Sequence, residues 1–301
     1  MLKLQKFPFF AMGCPCAIQL YVESRAQGKR IAKIAMSDVY RLEARYSRYR
    51  EDSVITQINQ IAEKGGAIVV DEETASLLDY ADACYRQSNG LFDITSGVLR
   101  KAWDFKSNRI PEQTEIENLL GRIGWGKVAW ENPRLNFLEP GIELDFGGIG
   151  KEYAVDRAAN LIQQQGLVHG LIDLGGDIRI IGPHSDGRPW SVGVRHPRMH
   201  DKTLASIKVN RGSVASSGDS ERYMIIEGKR YSHIFSPITG WPVRGLASVS
   251  VISEQCVVSG STCTIAILKE EKGAAWLEEL GVSHLWVDHE GNMGGSQKDS
   301  S

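Results

Sequence analysis

The 301-residue sequence predicts an α+β fold of mixed, largely antiparallel sheets with packed helices. Helical apolar spacing dominates the first 165 or so residues, strand-length apolar runs dominate the second half, and the two do not alternate as regular βα units. With 42% apolar and 24% charged residues, the composition is that of an ordinary globular chain, able to bury a core.

Residues 17–22 (AIQLYV) read as a first strand. Residues 29–46 carry apolar side chains at 31, 34, 35, 39 and 42, a helical spacing. Residues 47–59 (SRYREDSVITQIN) are polar with spaced apolar positions. Residues 72–87 form a second helix by the spacing of Leu77, Leu78, Ala81, Cys84 and Tyr85, stopped by Asn89-Gly90. Residues 112–122 give a short helix and 151–165 a longer one, whose Ala154, Val155, Ala158, Ala159 and Ile162 form one stripe before Gly166 ends it. Strands follow at 171–181, 190–194, 204–209 and 247–252, with hairpin turns at Asn210-Arg211-Gly212 and Glu227-Gly228-Lys229. Helices at 262–268 and 272–280 and a strand at 284–287 close the order. Residues 1–290 are expected to form a single domain, with two intimate subdomains as the alternative, and 291–301 a disordered tail.

Net charge is −2, which offers no basic field for nucleic acid. No run approaches the roughly 18 apolar residues of a membrane span. The opening MLKLQKFPFFAMG has a short apolar part broken by Pro8, so neither signal peptide nor lipobox is expected and a cytoplasmic location is. Five scattered cysteines fit a reducing compartment. Cys14-Pro15-Cys16 lacks the C-x-x-C spacing and reads as two small apolar residues at a strand start. His196 and His200 are separated by Pro197, against a helical metal pair.

The most informative stretch is IELDFGGIGKEYAVD (142–156), followed by GLIDLGGDIRIIG (170–182). Each is an apolar run that reaches a Gly-Gly pair beside a carboxylate, Asp145 or Asp177. Glycine pairs let backbone approach a ligand, and adjacent N–H groups with Lys151 suit a phosphate. Neither a P-loop nor a dinucleotide fingerprint fits: Asp145 stands where the first P-loop Gly belongs, Glu152 follows the Lys, and the Gly spacing is wrong for G-x-G-x-x-G. The plain alternative is two tight turns with no ligand.

Taken together, AMGCPCAIQL, SRYREDSVITQIN, NGLFDITSGVLRKAWDF, IELDFGGIGKEYAVD, LIDLGGDIRIIG, SSGDSERY and YSHIFSPITGWPV resemble, in order and from Met12 to about Asp288, the ApbE-like FAD:protein FMN transferases. The resemblance implies an ApbE-like flavin transferase fold and Mg²⁺-dependent transfer of FMN from FAD to a Thr or Ser hydroxyl of a target flavoprotein, releasing AMP. It implies FAD contacts at Met12, Tyr49, Leu91, Phe92, Asp93, Asp145, Lys151, His233 and Ile234. His233 is the implied catalytic histidine, with Lys151 at the phosphates. Gly148, through its carbonyl, and Thr264 are implied magnesium ligands. Chemically, attack at phosphorus needs charge neutralisation and alignment, and a histidine can move the proton near neutral pH.

The chain departs from that pattern where the metal belongs. Gly260 occupies the position of the family's metal-binding Asp, Glu152 that of a Gly after the Lys, and Ser220 that of an aromatic. Glu152, Asp177, Ser259 or Ser261 are the candidates to hold magnesium instead. Besides transfer, two other functions stay open: an FAD carrier without transfer, and an FAD hydrolase giving FMN and AMP. A carboxylate restored by Gly260→Asp, four residues before Thr264, is expected to fit at little cost to folding.

Overall fold

Lys3–Ala11 (β1) and Cys14–Val22 (β2) pair from Lys3↔Val22 to Ala11↔Cys14 around the two-residue turn Met12-Gly13. Both turn residues have positive φ, 51° and 75°, the conformation that matches strand twist in a tight hairpin. The sequence expectation has no strand before residue 17, and β1 carries Pro8. A residue without an N–H is tolerated on an edge strand, and β1 is an edge of the sheet.

The computed structural model describes residues 1–297 except 106, 108, 200, 201 and 221. After β2 come α1 (Arg25–Tyr46), α2 (Val54–Ala62), β3 (Gly66–Val69), α3 (Glu72–Gln87), α4 (Gln113–Leu120), β4 (Val128–Glu131), β5 (Arg134–Phe137) and α5 (Gly150–Gln164). The strand-rich half runs β6 (Gly170–Leu174), β7 (Asp177–Gly182), β8 (Trp190–Arg195), β9 (Thr203–Val209), β10 (Gly212–Gly218), β11 (Tyr223–Ile226), β12 (Lys229–Ser232) and β13 (Leu246–Ser253). It ends with α6 (Cys256–Leu268), α7 (Gly273–Leu280), β14 (Ser283–Asp288) and β15 (Met293–Gly294). Eight strands form the main sheet in the order β1-β2-β6-β7-β10-β13-β14-β15, each pairing antiparallel. The mixed α+β class holds. Among the described residues no helix is long and apolar enough to cross a membrane.

Side chains alternate across this sheet. Ile172, Ile181 and Ala215 join the core beneath α1 and α5, while Leu171, Ile180 and Val214 pack on the β8–β9 ribbon. The expected α5 stripe is the buried one, and its alanines meet Ala32 and Ala35 of α1 in the same core. Helix α6 is buried almost all round, being enclosed by the sheet, α5 and α7.

Several expectations change. The run 171–181 is two strands, because Gly175-Gly176, with φ of 64° and 97°, turns between Leu174 and its partner Asp177. Residues 210–212 do not close a hairpin: β9 pairs with β8, whereas β10 enters the main sheet between β7 and β13. A turn signature fixes a reversal, not its partner. Glu227-Gly228 does close the β11–β12 hairpin. Ser53 caps α2, placing a helix inside 47–59, and the late helix starts at Cys256 rather than 262. Part of the expected tail is structured: β15 pairs with β14, and the Gln297 N–H donates to His284 O. Residues 298–301, like His200 of the histidine pair, lie outside the described residues.

Candidate active site

The hairpin turns Met12-Gly13 and Gly175-Gly176 lie side by side at one end of the sheet. Gly175 N donates to Pro15 O at 3.1 Å, and a Cβ on Gly175 would stand 2.8 Å from Cys14 Sγ, so both the turn and the contact require glycine. Next to them opens a cavity of about 810 Å³, of the size that holds a cofactor-sized ligand. Tyr49, Leu91, Phe92, Asp93, Asp145, Gly148, Lys151, His233, Ile234 and Thr264 all line it. Met12 and Gly260 do not. Met12 sits on its turn with its N–H donated to Glu43 Oε1 at 2.6 Å, and Gly260 is buried within α6.

The first Gly-Gly pair is not a positive-φ turn. It enters α5, and its glycines serve close packing: a Cβ on Gly148 would stand 3.0 Å from the Phe92 ring, and one on Gly147 3.1 Å from Asp145 Oδ1. Asp145 receives the Gly147 N–H at 2.8 Å and pairs with Arg48, whose guanidinium also donates to Tyr49 Oη at 3.1 Å. The N-terminus of α5 has no side-chain cap; Gly150 N donates to Phe146 O at 2.7 Å, and Lys151 and Glu152 of the first turn bring the positive end of the helix to the cavity lining.

Lys151 Nζ meets Asp177 Oδ2 at 2.7 Å, tying α5 to the β6–β7 hairpin. Burial alone would lower the Lys151 pKa, but Asp177 and Glu152 outweigh it, so the pKa is raised and the ammonium is held charged. Burial, then Asp177, push Glu152 the other way for an acid, upward, and its Oε2 has no hydrogen-bond partner.

His233 also lines the cavity, and its Nδ1 lies 3.1 Å from Arg222 O. A carbonyl only accepts, so Nδ1 carries the proton in the neutral ring and Nε2 is the basic nitrogen. This segment is braced by aromatic packing. Trp103 stacks on Tyr231 and Phe235 and donates Nε1–H to Gly240 O at 2.8 Å.

One implied contact also does structural work. Both Asp93 carboxylate oxygens are engaged within the protein: Oδ1 accepts from Thr95 N and Oγ1 at 2.8 and 2.6 Å, and Oδ2 from Trp125 N at 2.9 Å. Asp93 shapes the 91–96 turn at the cavity edge. Among the metal candidates, Ser259 Oγ bonds Ser213 and Ser253 at 2.9 and 2.8 Å, and Ser261 Oγ bonds Tyr80 Oη at 2.7 Å, so both point elsewhere. The expectation that Gly260→Asp would fit is overturned. A Cβ there would lie 2.6 Å from Glu152 Cγ and 2.8 Å from its Oε1.

Sequence reasoning also missed the cations. Arg48, Arg100, Lys101, Arg195 and Arg222 join Lys151 around the cavity of a chain whose net charge is −2. They are spread over 175 positions, so no single local run signals them, though Arg48, Arg100, Lys101 and Arg222 lie inside three of the quoted motifs. The same lining carries Asp93, Asp104, Asp145, Glu152 and Asp177, and Arg48 and Lys151 are paired with two of them, so the cavity wall mixes both signs.

The family model described as ApbE family matches residues 12–286. A Klebsiella pneumoniae protein named FAD:protein FMN transferase is 30% identical over 275 residues, covering 89% of this chain and 84% of that protein. A Vibrio cholerae protein of the same name is 29% identical, over 80% and 74%. The crystal structure of the ApbE protein from Thermotoga maritima superposes with a TM-score of 0.89 at 32% identity, covering 98% of this chain and 97% of that one.

Proposed function

The chain belongs to the ApbE family, and from that premise we propose that it transfers FMN from FAD to a Thr or Ser hydroxyl of a target flavoprotein, releasing AMP, with magnesium as the metal. The observation that carries this reading is one cavity lined by a charged Lys151 in the first turn of α5 and by an oriented His233.

The acceptor oxygen attacks the phosphorus that bears riboflavin. The bond from that phosphorus to the bridging oxygen breaks, a phosphoester forms, and AMP departs with the bridging oxygen. His233 Nε2 takes the hydroxyl proton, its tautomer set by the Arg222 carbonyl. Lys151 and the α5 N-terminus offset charge on the phosphates. Phe92, packed on Gly148, and Leu91 offer apolar surface to the flavin end.

The donor set fits a hard divalent cation, which takes oxygen ligands: Thr264 Oγ1 and the Gly148 carbonyl belong to residues lining the cavity, where Glu152 keeps a buried, unpartnered carboxylate oxygen. Thr264 and Gly148 would hold magnesium, which when bound supplies neutralisation of pyrophosphate charge.

The test incubates the protein with FAD, magnesium and a threonine-containing acceptor domain. Covalent flavin on the acceptor, with one AMP released per flavin attached, is expected. AMP without covalent flavin would make the protein a hydrolase, and bound but intact FAD would make it a carrier.

A further inference from the structure

Glu152 is only 8% exposed, and its Oε2 finds no hydrogen-bond partner, an unfavourable state for an ionised carboxylate that either a proton or a cation relieves. Its neighbour Lys151 does not relieve this directly, since Nζ is committed to Asp177 at 2.7 Å. The Glu152 side chain lies against Gly260. A Cβ built there would be 2.6 Å from Glu152 Cγ, 2.8 Å from Oε1 and 3.0 Å from Cδ, so the volume open to a side chain at 260 is already filled by this carboxylate. One turn farther along α6, Thr264 lines the cavity, as do Gly148 and Glu152 itself. The other candidates are accounted for: Ser259 and Ser261 bond away from the cavity, and Asp177 is held by Lys151. The family resemblance puts an acid at 260 and a glycine at 152; this chain has the glycine at 260 and the acid at 152. The two differences are then one exchange.

We propose that Glu152 is the carboxylate ligand of the divalent cation in this chain, delivered from α5 into the volume that Gly260 leaves open on α6, alongside Thr264 and the Gly148 carbonyl. Among the described residues no group of three or more His, Cys, Asp and Glu is arranged to hold a metal. A site of one carboxylate, one hydroxyl and one carbonyl, completed by substrate phosphate oxygens and water, suits magnesium without such a group. The proposal rests on the FMN-transfer reading only for the identity of the metal and the presence of a pyrophosphate beside it.

The probe is Mn²⁺, titrated into the full chain with FAD bound and followed by the electron paramagnetic resonance signal of the free ion. Glu152→Gln keeps the side-chain shape and removes its charge, and it should weaken Mn²⁺ binding by about 10–100-fold while circular dichroism and FAD binding measured without metal stay those of the parent. Gly260→Asp alone puts a second carboxylate into filled space and should lower the melting temperature. Glu152→Gly combined with Gly260→Asp moves the acid back to α6 and should recover Mn²⁺ binding. A Glu152→Gln protein that binds Mn²⁺ as tightly as the parent, or a parent that binds none, overturns the proposal. So does a folded double variant that fails to recover binding. Failure of the transfer reading looks different: Mn²⁺ held through Glu152 by a protein that never flavinylates its acceptor.

Discussion

Lys151 Nζ and Asp177 Oδ2 stand 2.7 Å apart, joining the first turn of α5 to the strand that follows the Gly175-Gly176 turn. The pair is asymmetric. Asp177 is 3% exposed, whereas about a third of the Lys151 side chain remains accessible to the cavity. Lys151→Met strands a buried carboxylate and should destabilise the fold by about 3 kcal/mol, at the low end for a broken buried pair because the lysine is partly solvated. Lys151→Met with Asp177→Asn should regain much of that in urea denaturation. The parent should bind FAD more tightly than riboflavin, and Lys151→Met should narrow the gap in a flavin-fluorescence titration. Equal affinity of the parent for both ligands would take the phosphates away from Lys151.

His233→Ala should lower flavin transfer by about 10²–10⁴-fold. FAD affinity should change little, because the ring's assigned task is proton movement. Stability should drop only modestly, since the lost Nδ1 contact to Arg222 O is an exposed hydrogen bond. Full transfer by the variant, on an acceptor that the parent modifies, would reduce His233 to a structural residue.

Asp156 reaches from α5 to cap another helix. Its Oδ1 and Oδ2 accept the N–H groups of Cys256 and Val257, both at 2.9 Å, at the start of α6. Asp156→Ala should destabilise the protein by about 2–3 kcal/mol, the scale of lost hydrogen bonds to a charged group. Because α6 carries Thr264, metal affinity should fall with it. Asp156→Asn, which keeps one acceptor, should fall between. A denaturation midpoint unmoved by Asp156→Ala would remove the cap from the energetics of α6.

Glu143 sits among Arg100 and Lys101, the latter 2.6 Å away. Burial would raise its pKa, but Lys101 and Arg100 outweigh burial and the pKa is lowered. A depressed carboxylate stabilises the fold above its unfolded value, about 4.3, and that contribution is lost as pH falls through the folded value. Glu143→Gln should therefore be less stable than the parent at pH 6, and the difference should shrink toward pH 3. A constant difference across that range would assign the effect to packing.

Where one element carries its own pattern, the sequence is transparent. The alanine-rich stripe of α5, the apolar face of α1 and the Glu227-Gly228 hairpin are all readable locally. So are most cavity residues, through the ordered motifs around Tyr49, Phe92, Asp145, Lys151 and His233. What escapes depends on partners. The strand carrying Pro8 is permitted only by its place at an edge. The four-residue strands of the β3-β5-β4 sheet are too short to show a period. Asp93 has the look of a ligand contact, yet its oxygens are taken by Thr95 and Trp125. Gly260 reads as a lost ligand until Glu152 is seen in the same space.

β10 lies between β7 and β13, so the strands before residue 183 are joined to those after 245 only through it. The cavity draws its walls from both sides of that join, from Arg48 to Leu268. A nascent chain emerging from the ribosome therefore has no complete cavity until α6 has been made. Flavin cannot act as a template for the early part of the molecule; it can only lock in a chain that has already assembled.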